Sequence, residues 1–378
     1  MDEQSQKQQK KPPKKLPRFL TRLIAALVVL AVFLALVVMV AFRDQLNMDS
    51  IKRYFTYLSL TRSDSGQADA FSYDGELSDT FAVLDGDLLV CSRNAISLYS
   101  GSGTQYINQS VSMTNPVVNT NGSLAVVYDA GGSSLYILGQ RSLVWSTDEL
   151  EPILSARLNR SGQLTVATQA SGYRGMVTVY DASYSPVMSI NLSSAFVMDA
   201  ALSDNGHTLA ILTAGQSGGA FDTGLSLYAM TYSNGTYQPD ASCSLGGGVV
   251  LDVRHTSSAV WTLSDQGLDI TDHSGHSVHT DWADRYLRRY TLSGNGFALA
   301  LLGKYHAGSQ AELWVIDQQG QRQTLSLNEQ VMSIAAAGRY FAVLTSDRLD
   351  IYTDELTLYS TLKGTRGART VLLMPDGS

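Results

Sequence analysis

The stretch "LSDNGHTLAILT", Leu202 to Thr213, is a tight turn followed by alternating apolar residues, and versions of it recur along the chain. Aligned on Gly206, the hairpin returns as "VLDGDLLVCS" at Gly86, "NTNGSLAVVY" at Gly122, "NRSGQLTVAT" at Gly162, "LSGNGFALAL" at Gly296, "AAAGRYFAVL" at Gly338 and "MPDGS" at Gly377. A degenerate copy, "HTSSAVWTL", lies near Ser257. Successive turns stand 36, 40, 44, 51, 39, 42 and 39 residues apart. Such a period constrains the fold more than composition does, because each unit is one supersecondary element that buries its faces only against copies of itself.

A second marker keeps the same phase. After each turn comes a short alternating strand that often closes on Tyr or Asp: "ISLYS", "LYILG", "VTVYD", "LSLYA", "LDITD", "LWVID" and "LDIYT", beginning at Ile96, Leu135, Val177, Leu225, Leu268, Leu313 and Leu349. Each unit reads as a four-stranded antiparallel sheet with Gly or Asn at the turn, where a positive φ costs least. Sheets packed radially cover each other's faces and leave only short protected edges, so the expected fold is an all-β propeller. Seven four-stranded blades look complete, and "ARTVLLMPDGS" begins a partial eighth. Because the last turn keeps the phase, an eight-bladed plan is preferred to a plain seven, with "FSYDGELSD" around Tyr73 expected to add an outer strand that helps close the ring.

The segment ahead of the repeats has a different character. Leu23 to Phe42, "LIAALVVLAVFLALVVMVAF", holds 20 residues without a charge, which as a helix would match the roughly 30 Å of a bilayer's hydrocarbon. A cleaved secretory signal is the competing reading, but the run is long for one and Met39-Val40-Ala41 lacks a small-x-small cleavage pattern. Seven Lys and Arg precede the run (Lys7, Lys10, Lys11, Lys14, Lys15, Arg18 and Arg22) against Asp2 and Glu3. That asymmetry keeps the amino terminus in the cytoplasm and places the propeller outside the cell membrane. The expected organisation is a basic cytoplasmic tail over residues 1–22, a transmembrane helix over 23–42 anchored in the lipid bilayer, a juxtamembrane helix and linker over 43–69, and an extracytoplasmic propeller over 70–378. In the juxtamembrane part Asn47 or Asp49 caps a short helix on which Ile51, Phe55 and Leu58 share a face. Beyond Phe42, 20 Lys and Arg face 32 Asp and Glu, a balance that repels nucleic acid and anionic lipid. The two cysteines, Cys91 and Cys243, read as single thiols in separate blades.

With anchor, spacer and repeats together, the chain resembles a family of single-pass membrane-anchored β-propellers of Gram-positive anaerobes, defined as a domain of unknown function. The resemblance covers nearly the whole chain and rests on the basic tail and apolar span, on "VTVYD" and "LDIYT", and on "ASGYRGMVTVYD" from Ala170 to Asp181. More distantly the repeats are similar to WD40-like, YVTN-like and quinoprotein-like propellers, although the Gly-His and Trp-Asp pairs of WD40 repeats and the regular Trp motifs of quinoproteins are missing. The resemblance implies fold and topology and brings no catalytic residue and no cofactor.

The strings that carry chemistry elsewhere have bland readings here. In "DITDHSGHSVHTDW", a two-residue turn at Ser274-Gly275 would set His273 opposite His276, with His279 on the other face, so a three-histidine metal site is not expected. "GQSGG" around Ser217 matches a serine-hydrolase elbow as a string but has no helix behind it. "SDNGHT" is close to the Asp-box of sialidases with Asp204 one place early, and "SLGGGVV" lacks the helix that would hold a phosphate.

One pattern does stand out. Loops between second and third strands all emerge on the same rim of a propeller, and in three units they carry bulky groups: Tyr173 and Arg174 in "ASGYRG", Phe221 in "GQSGGAFDTG", and Lys304, Tyr305 and His306 in "GKYHAGSQA". Aromatic and Arg residues are what partner hot spots favour. These observations point to a membrane-tethered, non-catalytic binding or scaffolding module for a protein or envelope glycan. The alternative is a propeller-type hydrolase or lyase with its site in the central channel.

Overall fold

Each repeat is most apolar in its second strand. "LTVAT" (Leu164–Thr168), "FALALLG" (Phe297–Gly303) and "YFAVLT" (Tyr340–Thr345) are buried along their whole length. A run that does not alternate needs cover on both faces, and radial stacking supplies it. The computed structural model describes residues 70–230, 237–305 and 310–378, save 74 and 77. They form seven four-stranded sheets, each a meander of consecutive strands. The fold is a seven-bladed β-propeller, here numbered blade 1 to blade 7 in chain order.

The first strands are Thr80–Leu84, Pro116–Thr120, Ile153–Leu158, Phe196–Leu202, Val250–His255, Tyr286–Thr291 and Val331–Ala337. They lie innermost, and those of blades 1 to 5, and of blades 6 and 7, run beside their neighbours. The rim on which they start is called the upper rim below. The core is a set of layers between blades. Leu89 and Leu98 of blade 1 meet Ala125 and Val127 of blade 2, and Ile137 of blade 2 meets Val166 of blade 3. Trp261 of blade 5 shares a layer with Trp314 of blade 6, where Trp282 packs edge-on to Trp314 with ring centroids 6.2 Å apart.

The recurring turn stitches these layers together on the lower rim. The Asp85 N–H donates to the Gly122 carbonyl at 2.8 Å, Asn121 Nδ2 to the Asn159 carbonyl at 2.8 Å, and Asn159 Nδ2 to the Ser203 carbonyl at 3.0 Å. His255 Nδ1 lies 2.9 Å from the Ala201 carbonyl oxygen. Arg254 Nη1 donates to the carbonyls of Leu292 at 2.6 Å and Gly294 at 3.0 Å. The Asn295 N–H reaches the Gly338 carbonyl at 2.7 Å. Most of these turns thus find hydrogen-bond partners in an adjacent blade.

The expected partial eighth blade is not formed: no strand follows Leu358–Lys363. The turn at Gly377 does form, with the Gly377 N–H on the Met374 carbonyl at 2.9 Å and the Met374 N–H on the Ser378 carbonyl at 2.7 Å. Its flanking residues have no ladder to join. Val371 donates its N–H to Ser333 Oγ at 3.3 Å, and Leu373 packs on Tyr340 and Ala342 of blade 7. Met374 meanwhile lies beside Gly86 of blade 1. The segment is a wedge between the last and first blades. Among the described residues around Tyr73 the expected outer strand does not form either: the Tyr73 ring packs against Phe81 and Tyr99 at 6.1 Å each. The transmembrane and juxtamembrane segments, 1–69, lie outside the described residues. Among the described ones no helix is long and apolar enough to cross a membrane.

Candidate functional site

The two rims differ in what they expose. Among the described residues, the exposed large apolar side chains fall into two groups. One group lies on outermost strands: Tyr106, Leu143, Val144, Val187, Val278, Leu358, Tyr359 and Leu362. The other lies on the upper rim: Tyr173, Phe196, Phe221, Val249, Leu251, Tyr286 and Tyr305. On the lower rim the exposed ones sit at the starts of outermost strands, as at Leu358 and Val187, and the inner turns engage neighbouring blades. An apolar cluster rimmed by polar residues marks a binding surface more often than scattered single residues do.

Local backbone builds this surface. The first strands of blades 3 to 7 each carry a bulge near the upper rim, where Leu154, Met198, Leu251, Arg288 and Met332 are the extra residues. A bulge leaves one residue unpaired and re-aims its side chain. None of the five is buried. In blade 4 the expected long loop around Ser217 is instead an extension of two strands, Thr208–Ser217 and Ala220–Ala229, joined by Gly218 and Gly219 at φ of 61° and 85°. Positive φ at both central residues is what a two-residue hairpin turn requires. The projecting hairpin lifts Phe221, paired with Gln216, above the rim.

Of the residues singled out in the sequence, Tyr173, Phe221 and Tyr305 are exposed at 50%, 44% and 51%. Arg174 is drawn across to blade 4: its carbonyl accepts the Val197 N–H at 3.3 Å, and its guanidinium sits 4.4 Å from the centroid of the Phe196 ring. Lys304 stays with its neighbour, its Nζ 5.6 Å from the Tyr305 ring centroid, two blades from Phe221. His306 lies outside the described residues. Phe196 is the most exposed large apolar residue described, at 56%. It was missed because it opens a strand and so reads as core. The bulges did have a signal, the recurring "ILS", "VMD", "VLD", "LRR" and "VMS" in the first strands.

The same rim holds an open groove of about 530 Å³ between blades 5 and 6, lined by Asp265, Gln266, Asp281, Trp282, Ala283, Asp284 and Arg285. Deeper, the residue after the bulge in blades 4 and 5 is a carboxylate, and both reach Arg157 of blade 3. Arg157 Nη2 lies 2.7 Å from Asp199 Oδ2 and 2.9 Å from Asp252 Oδ1, and its Nε is 3.0 Å from both Asp199 oxygens. Burial works to lower the Arg157 pKa, and the charges and hydrogen bonds of Asp199 and Asp252 more than offset it. Burial pushes the Asp252 carboxyl above its usual range, and Arg157 only partly offsets that. This triad ties three inner strands together.

The histidine hairpin is built otherwise than its string implied. The strands Gly267–Asp272 and Ser277–Asp281 leave a four-residue turn, with Asp272 Oδ1 accepting the N–H groups of Ser274 at 2.9 Å and His276 at 3.0 Å. His279 Nδ1 lies 2.9 Å from Asp269 Oδ1. His273 pairs with His255, which was not singled out in the sequence, at 3.1 Å between their Nε2 atoms. Among the described residues no three His, Cys, Asp or Glu side chains are grouped to hold a metal ion. Both cysteines are free thiols.

Fold and site together define a seven-bladed β-propeller whose inner turns are stitched on one rim and whose opposite rim exposes an apolar surface. The chain belongs to the family of unknown function DUF5711, whose model matches residues 67–358. No curated protein matches it in sequence. Among solved structures it is similar to apo AztD from Citrobacter koseri, at 12% identity and a TM-score of 0.56, covering 82% of this chain and 92% of that one. The carboxy-terminal WD40 domain of Sif2 matches at 12% identity and a TM-score of 0.52, over 79% of this chain and 92% of that one. BamB from Moraxella catarrhalis matches at 15% identity and a TM-score of 0.47, over 84% of this chain and 98% of that one. At these identities the likeness concerns the fold alone.

Proposed function

We propose that this protein is a non-catalytic binding or scaffolding module, tethered to the cell membrane through Leu23–Phe42, that takes a protein or envelope glycan on the upper rim of blades 3 to 6. The observation that carries the reading is the set of exposed apolar side chains on the upper rim, Tyr173, Phe196, Phe221, Val249, Leu251, Tyr286 and Tyr305, together with the bulges that place further side chains there. The deciding experiment is crosslinking and capture from native membranes with the wild type and the Tyr173→Ala, Phe196→Ala, Phe221→Ala triple variant. Rim residues away from the core contribute little to stability, so the variant keeps its thermal midpoint. Losing interface anchors costs about 2 kcal/mol or more, roughly a thirtyfold loss of affinity. Equal recovery of the same partners by both proteins would remove the upper rim from consideration. The tether has its own test: protease added to intact cells digests the propeller and spares a tag at Met1, whereas loss of the tag reverses the orientation.

A second reading, a hydrolase or lyase working in the channel, is favoured by one observation. Asp199 and Asp252, from the inner strands of neighbouring blades, converge on Arg157, and burial raises the Asp252 carboxyl above its usual range. It is the weaker reading because both carboxylates are engaged by Arg157. It requires a turnover that Asp252→Asn abolishes while the triple rim variant retains it.

A further inference from the structure

One link in the stitching of the lower rim leaves chemistry unused. His255 ends the first strand of blade 5 and is only 4% exposed. Its Nδ1 faces the Ala201 carbonyl at 2.9 Å. A carbonyl only accepts, so Nδ1 carries the hydrogen and the neutral ring presents a lone pair at Nε2. That lone pair meets the Nε2 of His273, 3.1 Å away, with the two rings 79° apart. In the metal-free state one hydrogen suffices: His273 Nε2–H donates to His255 Nε2.

We propose that His255 and His273 form an open, two-imidazole site for a zinc-class divalent ion, its remaining positions filled by water or by a ligand brought from outside. The separation fits. Two imidazole nitrogens 3.1 Å apart can both lie about 2.0–2.1 Å from one ion, at an angle near 100° between the bonds. The ligand type fits as well, since imidazole selects zinc, copper or nickel over magnesium or calcium. The support behind the ligand is the usual one for a metal-binding histidine, whose other ring N–H is donated to a backbone carbonyl. Here that carbonyl belongs to the neighbouring blade, so the first ligand is held between two sheets and the second arrives on the hairpin turn. Entry of the ion requires the His273 hydrogen to stand on Nδ1 instead of Nε2, so that both Nε2 lone pairs face the ion. With no third side chain grouped there among the described residues, the site stays open.

The site is on the rim opposite the apolar surface, so its test is independent of the binding reading. The untagged full chain is titrated calorimetrically with zinc chloride and with nickel chloride at pH 7.5, beside His273→Gln, His276→Gln and the triple rim variant. The expected result is one saturable site per chain, at least tenfold weaker in His273→Gln and unchanged in the other two. Copper(II) added at one equivalent should show electron paramagnetic resonance splitting from two nitrogens in the wild type and fewer in His273→Gln. His273 sits on a surface turn, so this variant tests the site without emptying the core position of His255. No saturable binding by the wild type, equal binding by His273→Gln, or loss of binding in His276→Gln instead would each overturn the assignment.

Discussion

At the scale of single residues, His255 connects burial to pH. Desolvation is the first cause that holds its pKa at about 4, and the neighbouring His273 adds to it. In the unfolded chain the ring returns to about 6.5. Between those values the unfolded state binds the extra proton, so the stability that neutral His255 allows is complete above pH 6.5 and is lost as pH falls toward 4. The gap corresponds to about 3 kcal/mol at most. Urea unfolding of the metal-free protein at pH 7, 5.5 and 4 should show that loss, and His255→Gln should flatten this part of the profile. A slope unchanged by the substitution would place the acid sensitivity elsewhere. None of this was legible in "DVRHTSS", because the string contains nothing to say that the ring will face a carbonyl of another blade.

Bulges decide the upper rim at the scale of elements. Met198 is the extra residue of its strand, and it lets Val197 stay buried while Asp199 turns to Arg157. Deleting Met198 shifts the residues before it by one position, and a shift of one sends side chains to the opposite face. Val197 would then leave the layer between blades 3 and 4, at a cost of about 1.5–3 kcal/mol. Met198→Ala keeps the bulge and should cost well under that. Equal thermal midpoints for the two variants would mean that the bulge does not set the register. The sequence markers placed the second and third strands of every blade, since apolar runs and alternation are local signals. Phe196, Val249, Leu251 and Tyr286 escaped because exposed apolar residues at strand starts look the same as core ones until the neighbouring sheet is in place.

For the whole molecule, the seam between blade 7 and blade 1 is the distinctive feature. A propeller built from four consecutive strands per blade has no shared sheet to lock its ends, and here the terminal wedge fills that place. Gly338 has φ +57°, and a Cβ on it would stand 2.5 Å from the Pro375 carbonyl oxygen, closer than real Cβ atoms approach backbone. Gly338→Ala is therefore expected to displace residues 371–378 while blades 2 to 5 keep their protection. Hydrogen exchange measured by peptide mass spectrometry reads this directly: faster exchange over the wedge and the second strand of blade 7, with none over blade 4. Uniform protection in the variant would show that the wedge does not depend on that turn.

The sequence by itself determined the repeat, the four-strand unit and the number of complete blades, because periodicity, turn glycines and apolar runs act over a few residues and survive as text. It also held the turn at Gly377, which formed as expected. Only the tertiary structure decided that this turn caps a wedge and no eighth blade, since a strand exists only where a ladder partner is free to receive it. Closure of the ring likewise decided which side chains meet. Arg157 joins Asp199 and Asp252 from 42 and 95 residues away, and His255 finds His273 across 18. Those meetings depend on how sheets twist and close around an axis, a geometry that no single repeat contains.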